Sequence, residues 1–281
     1  MARSILMTGA SGYVGTFLRA RLEAEGWDDI GVLAADITSP DLIVPPADVV
    51  IHLAGKLNSF RGPPSEIARH NYEGTMNLVS RCAPRTHLVF LSTDQVFGSD
   101  RDRVYTEADP VSPETAYGRS KAQAEQFLLG TSPRITILRT AGVYGYRHPR
   151  RQNTFEFIAA KLRAREPIEL YDDVFTSPTF IGDLCTCIEV AIDEGVYGVH
   201  HACGAEYLSR CDIGAAICRE QGFSPDLIRP VARPEDANVP RFIHLRPSPV
   251  FASALSMPLA EGLRAGTLER VSEGLRLESI G

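Results

Sequence analysis

The sequence lacks the hallmarks of several protein classes. No apolar run approaches the roughly 18 to 20 residues that cross a bilayer, which argues against a membrane protein. Lysine and arginine number 29 against 35 aspartates and glutamates, so the net charge of −6 argues against a broad surface for nucleic acid or anionic lipid. The six cysteines form no Cys-x-x-Cys pair and show no paired histidine spacing. They therefore predict reduced thiols rather than disulfides or a zinc site.

The start of the chain also lacks the continuous apolar core of a signal peptide. Glycines interrupt the sequence MARSILMTGASG where that core would continue, so we expect the protein to be cytoplasmic. What is present is ordinary globular usage, with 44% of the 281 residues hydrophobic and 23% charged. A chain of this length and composition buries a sizeable core as one large domain or two modest ones.

Short apolar runs alternate with helical patterns through the first half of the chain. Continuous runs with β-branched residues are typical of strands covered on both faces of a parallel sheet. The alternation therefore predicts an α/β fold with a doubly wound parallel sheet of the Rossmann type. The predicted strands are 4–8, 30–35, 47–54, 86–92 and 134–139, and the predicted helices are 67–82, 117–129, 155–165, 183–193 and 259–275.

A glycine-rich turn joins the first predicted strand to a helical pattern. Gly9, Gly12 and Gly15 recur at three-residue intervals in the sequence TGASGYVG. The first glycine allows a tight turn, the second lets backbone approach a pyrophosphate, and the third lets the helix pack on the strand. The helix N-terminus adds N–H donors and a positive dipole, so we predict that this turn binds a dinucleotide.

An acidic residue closes the second predicted strand. Asp36 lies 21 residues after Gly15, close to the spacing of an acid that bonds the adenosine ribose. It is also a suitable residue for an ordinary turn before Pro40. No lysine, arginine or histidine lies between Trp27 and Pro46, which favours NAD over NADP unless Arg19 or a residue distant in sequence supplies a positive charge.

The pair Tyr117 and Lys121 has the spacing of acid/base chemistry. Residues four apart share one face of a helix, and Thr93 stands 24 residues earlier, just after a predicted strand. An ammonium group beside a phenol favours the phenolate and brings tyrosine into the range of acid/base catalysis. The Thr93 hydroxyl can hold the substrate oxygen beside Tyr117, and Lys121 can also bind the nicotinamide ribose.

Several motifs follow one another in a fixed order through residues 1–145. They are TGASGYVG, VVIHLAG, Asn71 in HNYEGT, STDQVFG, YGRSK and ILRTAGVYG. In these motifs the sequence resembles the extended branch of the short-chain dehydrogenase/reductase superfamily. It is most similar to the dTDP-4-dehydrorhamnose reductase group, because Ser-Thr-Asp-x-Val-Phe stands where epimerases and dehydratases usually have a serine run. The later sequence FTSPT, followed by Asp183 and Leu184, agrees with that group.

The resemblance implies a set of site residues. It makes Thr93, Tyr117 and Lys121 a catalytic triad and Asn71 a residue that supports the active site. The implied cofactor contacts lie at the pyrophosphate (Gly9, Ser11, Gly12, Tyr13, Val14), at the adenosine-side ribose (Leu53, Ala54, Gly55) and beside adenine (Asp36, Ile37). Asp36 thus has two possible roles, at the ribose or at the adenine.

The resemblance also implies an activity and a division of the chain. The expected activity is NAD(P)H-dependent reduction of a carbonyl, the 4-keto group of a nucleotide-activated deoxysugar. The alternatives are an epimerase or dehydratase that recycles its nicotinamide, and a non-catalytic regulatory subunit. We expect residues 1–146, with contributions from about 170–200, to bind NAD(P), and 147–281 to form a smaller, mainly substrate-binding region. A homodimer through the helices at 67–82 and 117–129 is usual in the superfamily.

One departure from the family pattern lies on the adenine side. Only ten residues separate Asp36 from Ala47, too few for the helix, strand and helix that usually intervene. One βα unit is therefore abbreviated: either it is deleted, or the usual second strand is missing and 30–35 is the third.

Three further groups carry weaker signals. The basic stretch with Arg147, His148, Arg150 and Arg151 either binds a nucleotide diphosphate or is a solvated loop. Adjacent strand residues point to opposite faces, so we interpret the pair at 200–201 as packing histidines. We assign no chemistry to the cysteines at 185 and 187.

Overall fold

The computed structural model describes residues 3–57, 62–132, 134–146, 148, 150 and 152–265. The strands are β1 (Ile5–Thr8), β2 (Ile30–Leu33), β3 (Val49–His52), β4 (His87–Thr93), β5 (Val104–Tyr105), β6 (Ile135–Thr140), β7 (Val143–Tyr144), β8 (Ile168–Tyr171), β9 (Phe175–Thr176), β10 (Thr179–Phe180), β11 (Gly198–His201), β12 (Leu208–Ser209), β13 (Ile228–Val231) and β14 (His244–Leu245). The helices are α1 (Tyr13–Ala24), α2 (Pro64–Ala68), α3 (Gly74–Val79), α4 (Ala116–Leu129), α5 (Thr154–Arg163), α6 (Ile181–Glu194), α7 (Arg210–Gln221) and α8 (Leu259–Ala265), with a π-helical turn at Arg69–Glu73 between α2 and α3.

Six parallel strands form the central sheet, in the order β11-β6-β4-β3-β1-β2. Helices cover both of its faces. Leu18 of α1 and Ile188 of α6 pack on one face, and Leu78 of α3 and Leu128 of α4 pack on the other. Strands β1, β3 and β6 are therefore buried along their whole length. This confirms the doubly wound Rossmann-type sheet and explains why its strands are continuous apolar runs in the sequence.

The sheet ends at β2, one βα unit short of the usual arrangement. Strand β2 pairs directly with β1, with Ile30 opposite Ile5, so it is the usual second strand. Residues 34–48, all of them described, contain no helix or strand and lead straight to β3. Ile37 and Leu42 are 2% and 5% exposed and fill the core on the α3 side of the sheet. The abbreviated unit is therefore a deletion after the second strand.

The chain beyond β6 adds helices and short two-stranded ladders. Helices α5, α7 and α8 pack around a second core that includes Ile158, Ile217 and Leu263. Helix α6 and strand β11 return to the central sheet, where β11 pairs with β6 at one edge. We did not predict α7, although Ser209 and Asp212 form a capping box that the sequence pattern Ser-x-x-Asp signals.

Most predicted elements begin and end within two residues of the observed boundaries. The helix expected at 67–82 begins at Pro64 and is interrupted by the π-helical turn. The strand expected at 30–35 ends at Leu33. The closing helix is described only as Leu259–Ala265, and the remainder of the predicted range 259–275 lies outside the described residues.

Neither a membrane-spanning helix nor a metal-binding cluster occurs among the described residues. No helix in that part of the chain is long and apolar enough to span a bilayer. Among the same residues, no cluster of three or more histidine, cysteine, aspartate or glutamate side chains is placed to hold a metal ion. All six cysteines are free thiols, and four of them are buried.

Candidate active site

The glycine turn brings the start of α1 against the end of β3. Gly9 has a φ of +69°, and a Cβ there would lie 2.6 Å from the backbone nitrogen of Ala54. A Cβ at Gly15 would lie 2.3 Å from the carbonyl oxygen of Gly9. Both positions therefore require glycine. Helix α1 begins at Tyr13 with Gly12 as its N-cap, so the free N–H groups of its first turn face the loop.

Tyr13, the first residue of α1, and Tyr146 form reciprocal hydrogen bonds beside this turn. The Tyr13 hydroxyl donates to the carbonyl oxygen of Tyr146 at 2.9 Å, and the Tyr146 hydroxyl donates back to the carbonyl of Tyr13. Their ring centroids are 4.6 Å apart. Burial raises the pKa of the Tyr13 hydroxyl. Since the phenol is engaged, only the backbone of Tyr13 is left for the predicted pyrophosphate contact; Ser11 is exposed and Val14 is half-buried.

The segment after β3 runs beside the glycine turn. The backbone nitrogen of Leu53 donates to the carbonyl of Thr8 at 3.3 Å, and that of Ala54 donates to the Thr8 hydroxyl at 3.2 Å. Gly55 follows, close to the side chain of Asn71. The structure therefore brings the residues predicted at the adenosine-side ribose together with those predicted at the pyrophosphate.

A chain of buried hydrogen bonds links this region to α3. It was not predicted from the sequence. His52 Nδ1 lies 2.6 Å from Thr8 Oγ1, and His52 Nε2 lies 2.9 Å from Thr75 Oγ1. Thr75 donates its own proton to the carbonyl of Asn71 at 2.6 Å, so Nε2 carries the imidazole proton and Nδ1 accepts from Thr8. Burial lowers the pKa of His52 to about 3, so it is neutral.

Asn71 lies in the π-helical turn and joins three segments. Its Oδ1 accepts from the backbone nitrogen of Lys56 at 2.7 Å, and its Nδ2 donates to the carbonyl of Lys56 at 2.9 Å. The same Nδ2 donates to Ser120 Oγ at 3.0 Å, and Ser120 donates to the carbonyl of Tyr117 at 2.7 Å. Asn71 therefore connects the segment after β3 with the helix that carries Tyr117. Such irregular turns are frequent at functional sites.

A cavity of about 490 Å³ opens beside Asp36, at the carboxyl end of β2. The Asp36 carboxylate accepts hydrogen bonds from the backbone nitrogen and the hydroxyl of Thr38, at 2.9 and 2.8 Å. These bonds lower the pKa of Asp36. Arg69 Nη2 lies 3.9 Å from the Asp36 carboxylate and donates to Thr38 Oγ1 at 2.7 Å. The residues lining the cavity are Ala34, Ala35, Asp36, Lys56, Glu66, Arg69 and His70.

The rest of this cavity mixes both charges. Lys56 Nζ pairs with Glu66 at 2.6 Å. His70 Nδ1 is buried and has no hydrogen-bond partner among the described residues. Ile37, predicted beside adenine, lies in the core under α3 and does not line the cavity. Basic residues distant in sequence thus reach the acid that closes β2, which the stretch around Asp36 alone does not reveal.

Thr93 and Tyr117 meet where β4 ends and α4 begins. Thr93 is the last residue of β4, and its hydroxyl donates to Asp94 Oδ1 at 2.9 Å. Helix α4 is capped by Thr115, whose hydroxyl accepts from the backbone nitrogen of Gly118 at 2.9 Å. Tyr117 is therefore in the first turn of α4, and its hydroxyl is near enough to Thr93 for the threonine hydroxyl to affect the pKa of Tyr117.

The electrostatics of this pair favour a protonated phenol beside a buried lysine. Burial and the nearby Asp94 raise the pKa of Tyr117, while the Thr93 hydroxyl lowers it. Lys121 is 4% exposed and its Nζ lies 3.7 Å from the centroid of the Phe90 ring. Burial lowers the pKa of Lys121 to about 7, and Glu125 opposes that shift. Burial also raises the pKa of Asp94 to about 6.

The residues with weaker signals lie apart from Thr93 and Tyr117. His148 is engaged with Thr16 of α1 at 3.2 Å, and the exposed Arg150 donates its backbone nitrogen to His148 Nδ1 at 3.0 Å. Arg147 and Arg151 lie outside the described residues. His201 is buried beside β6, and His200 contacts the carbonyl of Tyr197.

Comparison with known proteins gives this geometry a family. The RmlD substrate binding domain matches residues 3–255. The chain belongs to this RmlD family. A dTDP-4-dehydrorhamnose reductase of Mycolicibacterium smegmatis is 34% identical over 243 residues, which cover 82% of this chain and 73% of that protein. A probable dTDP-4,6-dihydroxy-2-methyloxan-3-one 4-ketoreductase of Streptomyces antibioticus is 33% identical over 239 residues, covering 80% of this chain and 79% of that one.

Solved structures of RmlD-type proteins share the fold. The dTDP-4-dehydrorhamnose reductase of Bacillus anthracis, in complex with NADP, superposes with a TM-score of 0.81 at 25% identity. The superposition covers 94% of this chain and 98% of that one. Together these similarities confirm the resemblance to extended short-chain dehydrogenases/reductases and, within them, to the dTDP-4-dehydrorhamnose reductase group.

Proposed function

We propose that this RmlD-family protein is an NAD(P)H-dependent reductase of the 4-keto group of a nucleotide-activated deoxysugar. The observation that carries the proposal is the position of Thr93 at the end of β4 beside Tyr117 in the first turn of α4, one helical turn from the buried Lys121. It lies at the carboxyl end of a parallel sheet, where open α/β folds bind their ligands. The names of the relatives in M. smegmatis and S. antibioticus supply the substrate class.

The glycine turn fits a dinucleotide. A Cβ at Gly9 would collide with Ala54, so glycine lets the turn pack closely on the segment after β3, and the N-terminus of α1 beside it suits a pyrophosphate. In this assignment Gly9, Ser11, Gly12, Tyr13 and Val14 line the pyrophosphate. The segment Leu53, Ala54 and Gly55 lies beside the ribose.

In the proposed reaction a side chain of the protein donates the proton that the carbonyl oxygen receives. The nicotinamide supplies a hydride to the carbonyl carbon when it is bound. Tyr117, held protonated by its raised pKa, donates its hydroxyl proton to the carbonyl oxygen, and the product is an alcohol. Thr93 holds that oxygen by a hydrogen bond. Lys121, as a cation, stabilises the phenolate that is left and binds the nicotinamide ribose.

We also propose that NADH is preferred over NADPH. Asp36 is ionised because two bonds from Thr38 lower its pKa, and its carboxylate can accept a bond from the ribose 2′-hydroxyl but repels a 2′-phosphate. Arg69 lines the same cavity, 3.9 Å from this carboxylate, so NADPH retains a weaker affinity. This assigns Asp36 to the ribose and leaves Ile37, which is buried in the core under α3, without a cofactor contact.

The sugar nucleotide is assigned to the second region, residues 147–281, with 1–146 and about 170–200 serving the cofactor. Burial raises the pKa of Asp94, and the charge of Arg210, at the start of α7, opposes that shift, so the guanidinium lies in the region of Thr93 and Tyr117. A guanidinium there suits a diphosphate.

The experiment is Tyr117→Phe assayed with dTDP-4-dehydrorhamnose and NADH. We expect kcat to fall by about 10²- to 10⁴-fold, the usual contribution of a positioned acid, with cofactor affinity retained. Tyr197→Phe is the matched control, because Tyr197 is 38% exposed and lies before β11, away from Thr93. Near-native turnover by Tyr117→Phe would show that the mechanism is wrong.

Further observations on the purified protein distinguish the alternative functions. Tightly bound NAD that co-purifies and is not consumed would identify an epimerase or dehydratase. Cofactor binding without turnover on a panel of keto sugars, together with a stable protein partner, would identify a regulatory subunit.

The proposed assembly is a homodimer through the helices at 67–82 and 117–129. Leu129, a large apolar residue at the end of helix α4, is 54% exposed. Light scattering of the purified protein measures the assembly directly, and a monomeric mass at micromolar concentration would contradict the proposal.

A further inference from the structure

An ion pair is buried directly behind the proposed catalytic residues. Glu125 on α4 and Arg139 on β6 have side chains that are only 3% and 5% exposed. Arg139 Nη2 donates to Glu125 Oε2 at 2.7 Å, and Arg139 Nε lies 3.1 and 3.2 Å from the two carboxylate oxygens. Such a pair is costly to bury and to break, and the mechanism above does not use it.

Glu125 also ties two elements of the site together. Its Oε1 accepts a short hydrogen bond from the hydroxyl of Ser92, the residue before Thr93 on β4. Glu125 itself is four residues after Lys121 and eight after Tyr117 on α4. The carboxylate therefore joins the helix that carries Tyr117 and Lys121 to the strand that carries Thr93.

Arg139 is held from its other side by neutral groups. His201 Nδ1 donates to the carbonyl of Arg246 at 3.1 Å, which leaves Nε2 to accept from Arg139 Nη1 at 3.5 Å. The guanidinium also lies 4.9 Å from the centroid of the Phe97 ring. Arg139 is thus fixed in place and holds the carboxylate of Glu125 in one orientation.

We infer that Glu125 is a positioning residue of the reductase site: its carboxylate sets α4 against β4 and keeps the ammonium of Lys121 charged at neutral pH. The inference rests on the proposed function. Side chains at i and i+4 are neighbours on a helix, so the negative charge of Glu125 acts on Lys121 within a region that excludes water. The direction of the pKa shifts agrees, because Glu125 raises the pKa of Lys121 against the effect of burial.

Among the other charged groups around Lys121, Arg139 is a cation paired with Glu125, and Asp94 has the pKa nearest to that of Lys121. His52 on β3 and His70 in the π-helical turn both have lowered pKa values, chiefly through burial, and Lys121 lowers them further. Tyr117 on α4 has a raised pKa. Asp94, next to Tyr117, has a pKa of about 6, so its titration lies on the acid side of Lys121.

The test is Glu125→Gln, which keeps the shape and the acceptor for Ser92 but removes the charge. We expect the pH above which NADH affinity and kcat fall to move down by about one unit, so that both fall about tenfold at pH 8 and recover toward pH 6. A purely structural role would lower both equally at every pH. Fluorescence titration with NADH and steady-state assays from pH 5.5 to 9 give the two profiles.

Two further variants keep the test decisive. Glu125→Gln leaves Arg139 buried and unpaired and can impair folding. Glu125→Gln/Arg139→Met removes both charges of the pair and is expected to shift the profile in the same direction but by less, because the loss of the Arg139 cation opposes the loss of the Glu125 anion. Ser92→Ala removes only the bond between α4 and β4, and is expected to lower kcat with no shift of the profile. If the single and double variants both keep the wild-type profile, Glu125 does not set the charge of Lys121.

A cofactor-free measurement separates this inference from the proposed function. Unfolding free energies from pH 5 to 9, with and without Lys121→Met, report the pH at which the lysine loses its proton in the folded chain. A downward shift in the Glu125→Gln background supports the inference even if Tyr117→Phe keeps its activity. An unchanged value in that background overturns the inference and leaves the proposed function in place.

Discussion

Lys121 is a cation that folding removes from water, and its cost is measurable. Burial lowers its pKa from 10.5 to about 7. Between these two values the unfolded chain binds more protons than the folded chain, so the contribution of Lys121 to stability increases as pH rises from 7. At or below pH 7 the folded chain bears the full cost of the buried charge.

Lys121→Met is therefore expected to stabilise the protein while abolishing reductase activity. We expect a gain of up to about 5 kcal/mol in the free energy of unfolding at pH 6, because the pKa falls from 10.5 to about 7 and each pKa unit is worth ~1.4 kcal/mol, and a smaller gain at pH 9. Urea unfolding at several pH values measures it. Lys161→Met on the exposed face of α5, whose lysine is 39% exposed, is the control without such a trend. A loss of stability at pH 6 would contradict the prediction.

Sequence spacing predicts only part of the residue-scale geometry. Tyr117 and Lys121 were predictable because residues four apart share a helix face. The contact of His52 with Thr75 spans 23 residues, and that of Arg139 with Glu125 joins a strand to a helix. No local periodicity predicts such pairs, since they depend on which strands are neighbours in the sheet. A histidine or arginine inside an apolar strand is the signal that was available.

At the scale of elements, the site depends on how closely α4 approaches the turn after β4. A Cβ at Gly118 would lie 2.0 Å from the carbonyl oxygen of Gln95 and 2.9 Å from its carbonyl carbon. Both are backbone atoms, so no side chain can move aside. The glycine beside Tyr117 thus permits the approach that brings the phenol to Thr93.

Gly118→Ala tests this approach against helix propensity. Alanine favours a helix interior by about 1 kcal/mol over glycine, yet here we expect a loss of about 1–3 kcal/mol from overpacking and a fall in kcat of at least about tenfold. Gly130→Ala at the C-cap of the same helix is the control, because its φ of −86° suits alanine. Thermal unfolding and initial rates measure the pair. A Gly118→Ala enzyme as active as Gly130→Ala would show that the close approach is unimportant.

The elements themselves were predictable to differing degrees. Buried parallel strands are continuous apolar runs and were all placed correctly, except that β11 was not singled out as a sheet strand. Helix α7 was missed because only part of it is apolar, with Ile213 and Ile217 among polar residues. The π-helical turn at Arg69–Glu73 has no pattern in sequence, and the partners of its Asn71, Lys56 and Ser120, are distant along the chain.

At the scale of the whole molecule, the deleted βα unit reshapes the adenine edge of the cofactor site. Length and spacing predicted that a unit was missing, and the pairing of β2 with β1 shows where. The sequence could not show that Arg69, 33 residues after Asp36, reaches the same edge. With no further strand beyond β2 in the described chain, Arg69 and Asp36 are both left facing the cavity.

Cofactor preference tests this arrangement in the complete protein. We expect wild type to bind NADH more tightly than NADPH. Asp36→Asn is expected to weaken NADH about tenfold, ~1.4 kcal/mol, and to strengthen NADPH, because the amide no longer repels the 2′-phosphate. Arg69→Ala is expected to weaken NADPH and leave NADH nearly unchanged.

Thermal shifts with each cofactor measure these affinities, since a ligand that binds only the folded state stabilises it by an amount that grows with concentration over Kd. Arg19→Ala is the matched control: Arg19 is bound to Glu23 on α1 at 2.7 Å and is expected to affect neither cofactor. A preference for NADPH that survives Arg69→Ala but not Arg19→Ala would move the 2′-phosphate to α1. It would also show that the deletion after β2 does not decide which cofactor the molecule uses.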